Sequence, residues 1–279
     1  MRSGRGIALA LGLAWAGTAA AGAGSRLQDL PWTEAEKVLT PERVVVLPLG
    51  AAVKEHGPHL RLDNDARLAD YFAERVLLAR PVALLPTLTY GFYPAFLDYP
   101  GSVSLAFDTQ RDVVVQICRS IARHGPRRFY VLNTGISTLR PLRASAEALA
   151  REGVLLTFTD LGVAGRAARE SVTTQAEGTH ADEIETSMML YIAPERVDPS
   201  RAVKDGLPGR PGPLVRAAAR PDAHLSPSGV FGDATRATRA KGERVVEAML
   251  ADVLRDLDAL AQAPLPPGAP GSPLGERAP

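Results

Sequence analysis

The chain has 279 residues, of which 46% are hydrophobic and 23% are charged, and its formal net charge at pH 7 is +1. Charges of both signs are interspersed, so the sequence has no electrostatic footprint for nucleic acid or for an anionic membrane. Small neutral or zwitterionic substrates are therefore favoured over polyanions, and the length fits one large domain or two small ones.

The first 23 residues have the pattern of a secretory signal peptide. Arg2 and Arg5 precede an apolar run that begins at Ile7, and small residues extend to Ala23. The run is shorter than the ~20 residues that a membrane span requires. We therefore expect cleavage near Ala21 or Ala23 and an exported protein, periplasmic or secreted, without stable membrane insertion. An uncleaved anchor is the alternative.

Short apolar runs alternate with helical patterns along the middle of the chain. The predicted strands are Val44–Leu49, Val82–Leu85, Arg128–Asn133 and Gly153–Thr159. The predicted helices are 32–39, 66–79, 109–124, 142–151 and a last one that begins near Thr235. Strands that alternate with helices of ten or more residues favour parallel βαβ units, so we predict an α/β domain over residues 24–261 with helices on both faces of the sheet. Residues 262–279 are rich in Pro and Gly and are predicted to form a disordered tail.

A loop rich in polar side chains follows the first predicted strand. It places Glu55, His56, His59, Asp63 and Asp65 within eleven residues. These residue types ligate metals, and they follow the end of a strand, where open α/β sheets place their sites. A surface loop with incidental polar residues is the alternative.

A second cluster surrounds His180, at the start of a predicted helix. Thr179 and Asp182 form a helix-start signature, so the alternative is that this acidic cluster only caps the helix. The two interpretations are compatible. A histidine in the first turn lies near the positive end of the helix, which favours the neutral imidazole that a general base or a metal ligand requires. Glu185 follows five residues later, nearer to the buried face than Asp182.

These clusters resemble motifs of the creatininase (creatinine amidohydrolase) family. In chain order, the resemblance is carried by Leu49-Gly-Ala with Glu55-His-Gly-Pro-His-Leu and Asp65, by residues 99–105, by residues 180–187, which resemble His-Ala-Gly-x-x-Glu-Thr-Ser, and by residues 228–242. The resemblance implies a three-layer α/β/α sandwich around a mostly parallel sheet. It also implies hydrolysis of cyclic or linear amides with two divalent metals, a catalytic role for His180, and a homo-oligomer.

The chain departs from the family pattern at the expected metal ligands. After the third predicted strand, Gly135 takes the family's histidine position and Ser137 its glutamate position. Glycine has no side chain and a neutral hydroxyl is a poor ligand, so we expect one divalent ion, Zn or Mn, rather than two. Lys54 stands where the family has its first glutamate, with Glu55 beside it. The expected ligands of the single ion are Glu55, His56 and Asp65.

Three functional hypotheses follow. In the first, a metal-bound water attacks the carbonyl of a small cyclic or linear amide, and His180 moves the proton to the departing nitrogen. In the second, Lys54 supplies the missing positive charge, His180 acts as general base, and Ser137 helps to steady an oxyanion. In the third, the protein is a catalytically inactive relative that binds a small ligand.

The site residues expected from these hypotheses fall into two further groups. The expected catalytic residues are Lys54, His180 and Glu185. The expected substrate-binding residues are Ser137 together with Tyr93 and Phe96, which belong to an aromatic loop that would form a wall of the pocket. A nucleotide-binding module is disfavoured, because no predicted strand is followed by a glycine-rich phosphate loop.

Overall fold

The structure, a computed structural model, describes residues 24–206, 213–217 and 221–268. The predicted signal peptide and residues 269–279 of the predicted tail lie outside the described residues, so cleavage and disorder stay predictions. None of the described helices combines the length and the apolar character needed to cross a bilayer.

A central sheet of five strands organises the described chain. Its strands are β1 (Ser25–Arg26), β2 (Val44–Leu49), β3 (Ala83–Leu84), β4 (Arg128–Asn133) and β5 (Leu155–Phe158). Their order across the sheet is β1-β3-β2-β4-β5, and every neighbouring pair is parallel. All six residues of β2 are buried, because this central strand is covered on both faces.

Helices pack on both faces of the sheet. They are α1 (Trp32–Val38), α2 (Asn64–Ala79), α3 (Phe107–Ala122), α4 (Leu139–Ala150), α5 (Arg166–Val172), α6 (Glu183–Ile192) and α7 (Arg239–Gln262). Val44 and Val46 of β2 share one core with α2, α6 and α7, whereas Val45 and Leu47 share another core with α3 and α4. Alternate residues of one strand therefore enter two separate cores. The predicted three-layer α/β/α architecture is confirmed.

Four short strands lie outside the central sheet. They are β6 (Lys204–Asp205), β7 (Leu214–Val215), β8 (His224–Leu225) and β9 (Gly232–Asp233). The strands β6 and β9 pair antiparallel, and β7 and β8 pair parallel. All four strands lie in the part of the chain between α6 and α7.

The last helix begins later than predicted. Residues 234–236 form a separate 3₁₀ turn in which Asp233 accepts a hydrogen bond from the N–H of Thr235. Helix α7 begins only at Arg239, where the hydroxyl of Thr238 accepts the N–H of Lys241 at 3.3 Å. The predicted start near Thr235 was wrong, because the side chain of Thr238 caps the helix.

The ends of β2 and β4 meet at the edge of the sheet where the polar loops lie. Leu49, the last residue of β2, pairs with Asn133, the last residue of β4. The hydroxyl of Thr134 is within hydrogen-bond distance of the carbonyl oxygens of Leu49 (3.1 Å) and Asp65 (2.9 Å). This contact fixes the first turn of α2 against both strand ends, so the loop between β2 and α2 is held at its two ends.

The crossing of α6 and α7 depends on Gly242. A Cβ at this position would overlap the carbonyl oxygen of Ser187 in α6. We expect Gly242→Ala to lower the free energy of unfolding by about 1 kcal/mol, because an overpacking cost of about 2 kcal/mol exceeds a gain of ~1 kcal/mol in helix propensity. Urea unfolding measures the change. The exposed neighbour Glu243 offers a control, Glu243→Ala, that should change stability by less than about 0.5 kcal/mol. Equal effects of the two variants would contradict the close helix crossing.

Candidate active site

A buried ion pair joins the loop after β2 to the first turn of α2. The ammonium Nζ of Lys54 lies 2.7 Å from Oδ2 of Asp65, and the two side chains are only 5% and 2% exposed. The ammonium also lies 4.6 Å from the ring centroid of Phe96 and 5.5 Å from that of Tyr93, whose faces attract a cation. Burial would raise the pKa of Asp65, but the charge of Lys54 and the hydrogen bond with His56 outweigh this effect and hold the pKa well below its usual range. Asp65 is therefore an ionised carboxylate at neutral pH.

The same carboxylate holds His56. Nε2 of His56 lies 2.8 Å from Oδ1 of Asp65, and its Nδ1 lies 3.0 Å from the carbonyl oxygen of Lys54. Both oxygens are acceptors, whereas a neutral imidazole donates through only one of its nitrogens. One ring nitrogen of His56 therefore faces an oxygen without a proton between them, unless the ring gains a second proton or a cation binds.

His180, which precedes α6, contacts Glu55 in the loop after β2. Its Nε2 lies 3.0 Å from Oε2 of Glu55, and its Nδ1 lies 3.6 Å from Oε2 of Glu185. The centroid of its ring is 4.4 Å from that of Phe96 and 5.0 Å from that of His56. Burial would raise the pKa of Glu55, but the hydrogen bond and charge of His180 outweigh burial and lower that pKa. The two imidazoles thus lie side by side, each with its own carboxylate partner.

The backbone turns sharply at Ala181, and this turn places Glu185. The φ of Ala181 is +48°, the only positive φ of a non-glycine residue in the described ranges. The N–H of Ala181 donates to Oε2 of Glu185 at 2.6 Å. Asp182 caps α6, and its Oδ1 accepts the N–H groups of Ile184 (2.9 Å) and Glu185 (3.0 Å). The acidic cluster therefore caps the helix and also shapes the site, and backbone strain of this kind concentrates at functional sites.

Three side chains lie close enough together to bind one metal ion. Among the described residues, a single group of His, Cys, Asp or Glu side chains meets this condition: His56, His180 and Glu185, whose ligand atoms lie within 4.8 Å of one another. Three protein ligands with an open position suffice for a zinc-like centre. One observation fits such an ion: a ring nitrogen of neutral His56 faces an oxygen without a proton between them. The donor set therefore fits one divalent cation.

The residues beside Asp65 do not fit a second ion. The Lys54 ammonium already neutralises that carboxylate, and Gly135 offers no donor. A Cβ at Gly135 would lie 3.2 Å from Cε1 of Tyr93, so the tyrosine ring occupies the space into which a longer side chain would extend. The expectation of one ion rather than two stays a prediction, and this geometry favours it.

The observed group differs from the ligand set expected from the sequence, which was Glu55, His56 and Asp65. Glu55 instead accepts a hydrogen bond from His180, and Asp65 is engaged by its buried ion pair. His56 belongs to both sets. His180 and Glu185, which the sequence indicated as catalytic residues, complete the group that the structure brings together.

A cavity of about 500 Å³ adjoins the group at Glu185. The expected pocket residues Tyr93 and Phe96 are not among the described residues that line it, and neither is Ser137. The two aromatic rings are almost fully buried because they cover the ammonium of Lys54. The predicted aromatic wall therefore surrounds a buried cation and does not face this cavity.

His59 is buried and contacts α6. Its Nε2 is 2.7 Å from the hydroxyl of Thr186, and its Nδ1 has no hydrogen-bond partner among the described residues. Burial lowers the pKa of His59 to about 4. His59 is therefore a neutral imidazole at pH 7 that packs the loop after β2 against α6.

Comparison with known proteins gives a consistent set of relatives. The profile described as "Creatininase: Creatinine amidohydrolase" matches residues 28–257. The "Mycofactocin precursor peptide peptidase" of Mycobacterium ulcerans (strain Agy99) is 30% identical over 218 residues, which cover 75% of this chain and 82% of that protein. The "Creatinine amidohydrolase" of Pseudomonas putida is 28% identical over 250 residues, 82% of this chain and 95% of that protein. The solved structure named "Creatininase Mn" superimposes with a TM-score of 0.70 at 23% identity, covering 86% of this chain and all of the other, and it supports the fold.

Removal of the Lys54 charge tests the buried ion pair. We expect Lys54→Met to lower the free energy of unfolding of the metal-free protein by about 3–5 kcal/mol, because Asp65 would be left as an uncompensated buried charge. Urea unfolding after chelation measures this. Lys37 is 70% exposed and pairs with Glu34 at 2.8 Å, so the control Lys37→Met should cost less than about 1 kcal/mol. Similar losses in both variants would contradict the role of Lys54.

The pKa of His59 predicts a pH dependence of stability. Its folded pKa is about 4, below the ordinary 6.5, so the unfolded chain binds more protons between these values. The contribution to stability is complete above pH 6.5 and is lost as the pH falls towards 4. Between pH 7 and pH 4, the wild type should lose roughly 3 kcal/mol more than His59→Gln, whose side chain does not titrate. If the wild type and His59→Gln lose the same free energy of unfolding between pH 7 and pH 4, His59 is not a neutral, buried imidazole.

Proposed function

The chain belongs to the creatininase family, and on this premise we propose that it is a metal-dependent hydrolase that cleaves the C–N bond of a small cyclic or linear amide. The observation that carries the proposal is the group His56, His180 and Glu185 beside a cavity of about 500 Å³. Cavities of this size are typical of small-molecule sites. The names of two relatives, a peptidase and an amidohydrolase, describe the same class of reaction.

We assign the binding of one divalent cation to His56, His180 and Glu185. Zn or Mn suits two imidazoles and a carboxylate, and the name of the similar structure "Creatininase Mn" includes the second of these metals. When bound, such an ion lowers the pKa of a water to about 7 and polarises an amide carbonyl. In this assignment His180 holds the ion, in place of the proton transfer that the sequence suggested.

The neighbouring charges orient the two imidazoles. Asp65 holds His56 and Glu55 holds His180, as carboxylates commonly hold metal-binding histidines. Lys54 fixes Asp65 and lies in the interior, outside the cavity lining, so we assign it a positioning role instead of contact with an oxyanion. Burial raises the pKa of Glu185 at the cavity wall, and a cation bound there would favour its carboxylate form.

A second candidate function is ligand binding without catalysis. The ion pair of Lys54 and Asp65 favours it, because this pair neutralises the buried carboxylate without any metal. The replacement of the family's histidine and glutamate by Gly135 and Ser137 points in the same direction. A protein of this kind would bind a small amide in the same cavity and leave it intact.

We also propose that the protein is exported and acts as a homo-oligomer. Export is supported by the pattern of residues 1–23, with Arg2 and Arg5 before an apolar run. Assembly is supported by the family resemblance alone.

The variant His180→Ala tests the proposed hydrolase. We expect it to lose both the bound cation and the turnover of amide substrates while it keeps the wild-type circular dichroism, because one of the three ligands is gone. The measurement is hydrolysis of a panel of small amides with and without added Zn²⁺ or Mn²⁺, together with elemental analysis. His124 is an exposed histidine just after α3 and lies outside the proposed site. The control His124→Ala should therefore keep both the bound cation and the turnover.

Two outcomes would contradict the proposal. If wild-type protein supplied with either metal cleaves no amide of the panel but binds some of them, the chain is a binding protein. If His180→Ala keeps its cation and its turnover, His180 has no part in the site.

A further inference from the structure

The segment that carries His180 is joined to a distant part of the chain by a short antiparallel bridge. The N–H of Phe231 donates to the carbonyl oxygen of His180 at 2.9 Å, and the carbonyl oxygen of Phe231 accepts the N–H groups of Thr179 (3.0 Å) and His180 (3.3 Å). A bridge of this length fixes the chain at one point and leaves its direction open. The course of the chain on either side must therefore be fixed by other contacts.

The side-chain amide of Gln175 bonds to the chain beyond this bridge on both of its strands. Its Oε1 accepts the N–H of Asp233, two residues beyond the bridge on one strand, at 2.9 Å. Its Nε2 donates to Oδ2 of Asp182, two residues beyond the bridge on the other strand, at 2.6 Å. The same Oε1 also accepts the N–H of Glu183 at 3.3 Å. One amide group therefore ties the segment that leads into α6 to strand β9.

Gln175 is itself held by a buried carboxylate. The side chain of Glu183 is fully buried, and its Oε2 accepts the N–H groups of Thr174 (2.8 Å) and Gln175 (2.7 Å). The ammonium of Lys241 in α7 donates to the other oxygen of this carboxylate. Hydrogen bonds to an ionised acceptor are stronger than those between neutral groups. The backbone from which the amide of Gln175 extends is therefore fixed as well.

Two glycines leave room for this amide. A Cβ at Gly178 would lie 2.5 Å from Nε2 of Gln175, and a Cβ at Gly232 would lie 2.7 Å from its Oε1. Both glycines also have a positive φ, +158° and +139°. The amide thus fits between two close stretches of backbone, which leave it a single orientation.

Asp182 connects the amide to two of the proposed cation ligands. Its Oδ1 caps α6 by accepting the N–H of Glu185, while its Oδ2 is engaged by Gln175. The strained turn at Ala181 lies directly before it, and strained backbone persists only where the surrounding structure holds it. Nδ1 of His180, on the other side of this turn, lies 3.6 Å from Oε2 of Glu185. This distance depends on how firmly Asp182 is held.

From these contacts we infer that Gln175 is a positioning residue, which holds His180 and Glu185 at the distance that one cation requires. The inference rests on the proposed function, because both side chains belong to the group to which we assign the cation. The bonds of the amide go to the neighbours of these two residues, so Gln175 acts through them. Loss of groups that hold metal ligands typically weakens metal binding ten- to hundredfold.

Cation binding by Gln175→Met tests the inference. Methionine has a similar length but no polar hydrogen-bonding group, so all three bonds of the amide are lost. We expect the Kd for Zn²⁺, measured by competition with a chelating dye, to rise about ten- to hundredfold. Gln175 also lines the cavity beside Glu185, and contact with a substrate could change turnover. Cation binding is therefore the cleaner measurement.

A destabilised control separates positioning from a general loss of stability. Leu149 is fully buried in α4, in the core on the other face of the sheet. We expect Leu149→Ala to lower the temperature of unfolding at least as much as Gln175→Met does, because it leaves a cavity, and to keep the wild-type Kd. The visible spectrum of bound Co²⁺ depends on the geometry of its ligands. It should change in Gln175→Met and keep its wild-type form in Leu149→Ala.

An exchange of two side-chain groups tests the same bond when Gln175→Met does not fold. Gln175→Glu alone places a carboxylate against that of Asp182, and we expect its Kd for Zn²⁺ to rise about tenfold although the added negative charge attracts a cation. Combined with Asp182→Asn, the donor and the acceptor change places and the wild-type net charge returns. The double variant should therefore recover a Kd close to that of the wild type.

Three results would overturn the inference. They are a wild-type Kd in Gln175→Met, an equal rise of the Kd in Leu149→Ala, and a double variant that binds no better than Gln175→Glu alone.

Hydrogen exchange separates the inference from the proposed function. If the wild type binds Zn²⁺ and Gln175→Met binds it equally well, the cation site stands and the inference fails. If the wild type binds no Zn²⁺, the cation site fails, and the protection of the amide N–H groups of His180 and Phe231 decides the role of Gln175. Loss of this protection in Gln175→Glu and its return in the double variant support the positioning role, and unchanged protection overturns it.

Discussion

The buried ion pair between Lys54 and Asp65 is the constraint on which the site depends. Two charges removed from water are stable only when each compensates the other, so neither side chain can move alone. Asp65 lies in the first turn of α2 and Lys54 belongs to the loop after β2, and their contact therefore fixes that loop. His56 is held by the second oxygen of the same carboxylate. The position of the His56 ring therefore depends on the ion pair that neutralises Asp65.

The scaffold brings distant parts of the chain to this ion pair. In a parallel sheet the carboxyl ends of neighbouring strands meet at one edge, and here the ends of β2 and β4 do so at Leu49 and Asn133. His180 belongs to a third segment, in which the sharp turn at Ala181 leads into α6. The result is a pair of histidines with separate carboxylate partners and Glu185 beside them, at the wall of a cavity.

Local patterns predicted the central strands and missed the contacts between distant segments. The strand Val44–Leu49 was predicted to its last residue, because a continuous apolar run is a strong signal for a strand buried on both faces. Helix α5 was not predicted, since none of its residues is buried and it has no apolar stripe. The contact of His180 with Glu55 joins residues 125 positions apart, and no spacing in the sequence indicates it. The ligand set expected from adjacent residues therefore differed from the group that the fold assembles.

We propose that His56, His180 and Glu185 hold one divalent cation, and that the ammonium of Lys54 stands beside Asp65 in place of a second one. Calorimetric titration of metal-free protein with Zn²⁺ tests it most directly. The account predicts one ion per chain and a higher temperature of unfolding once that ion is bound. A stoichiometry of two would show that Lys54 gives way to a second ion, and no binding, with an unchanged unfolding temperature, would show that the cluster is not a metal site.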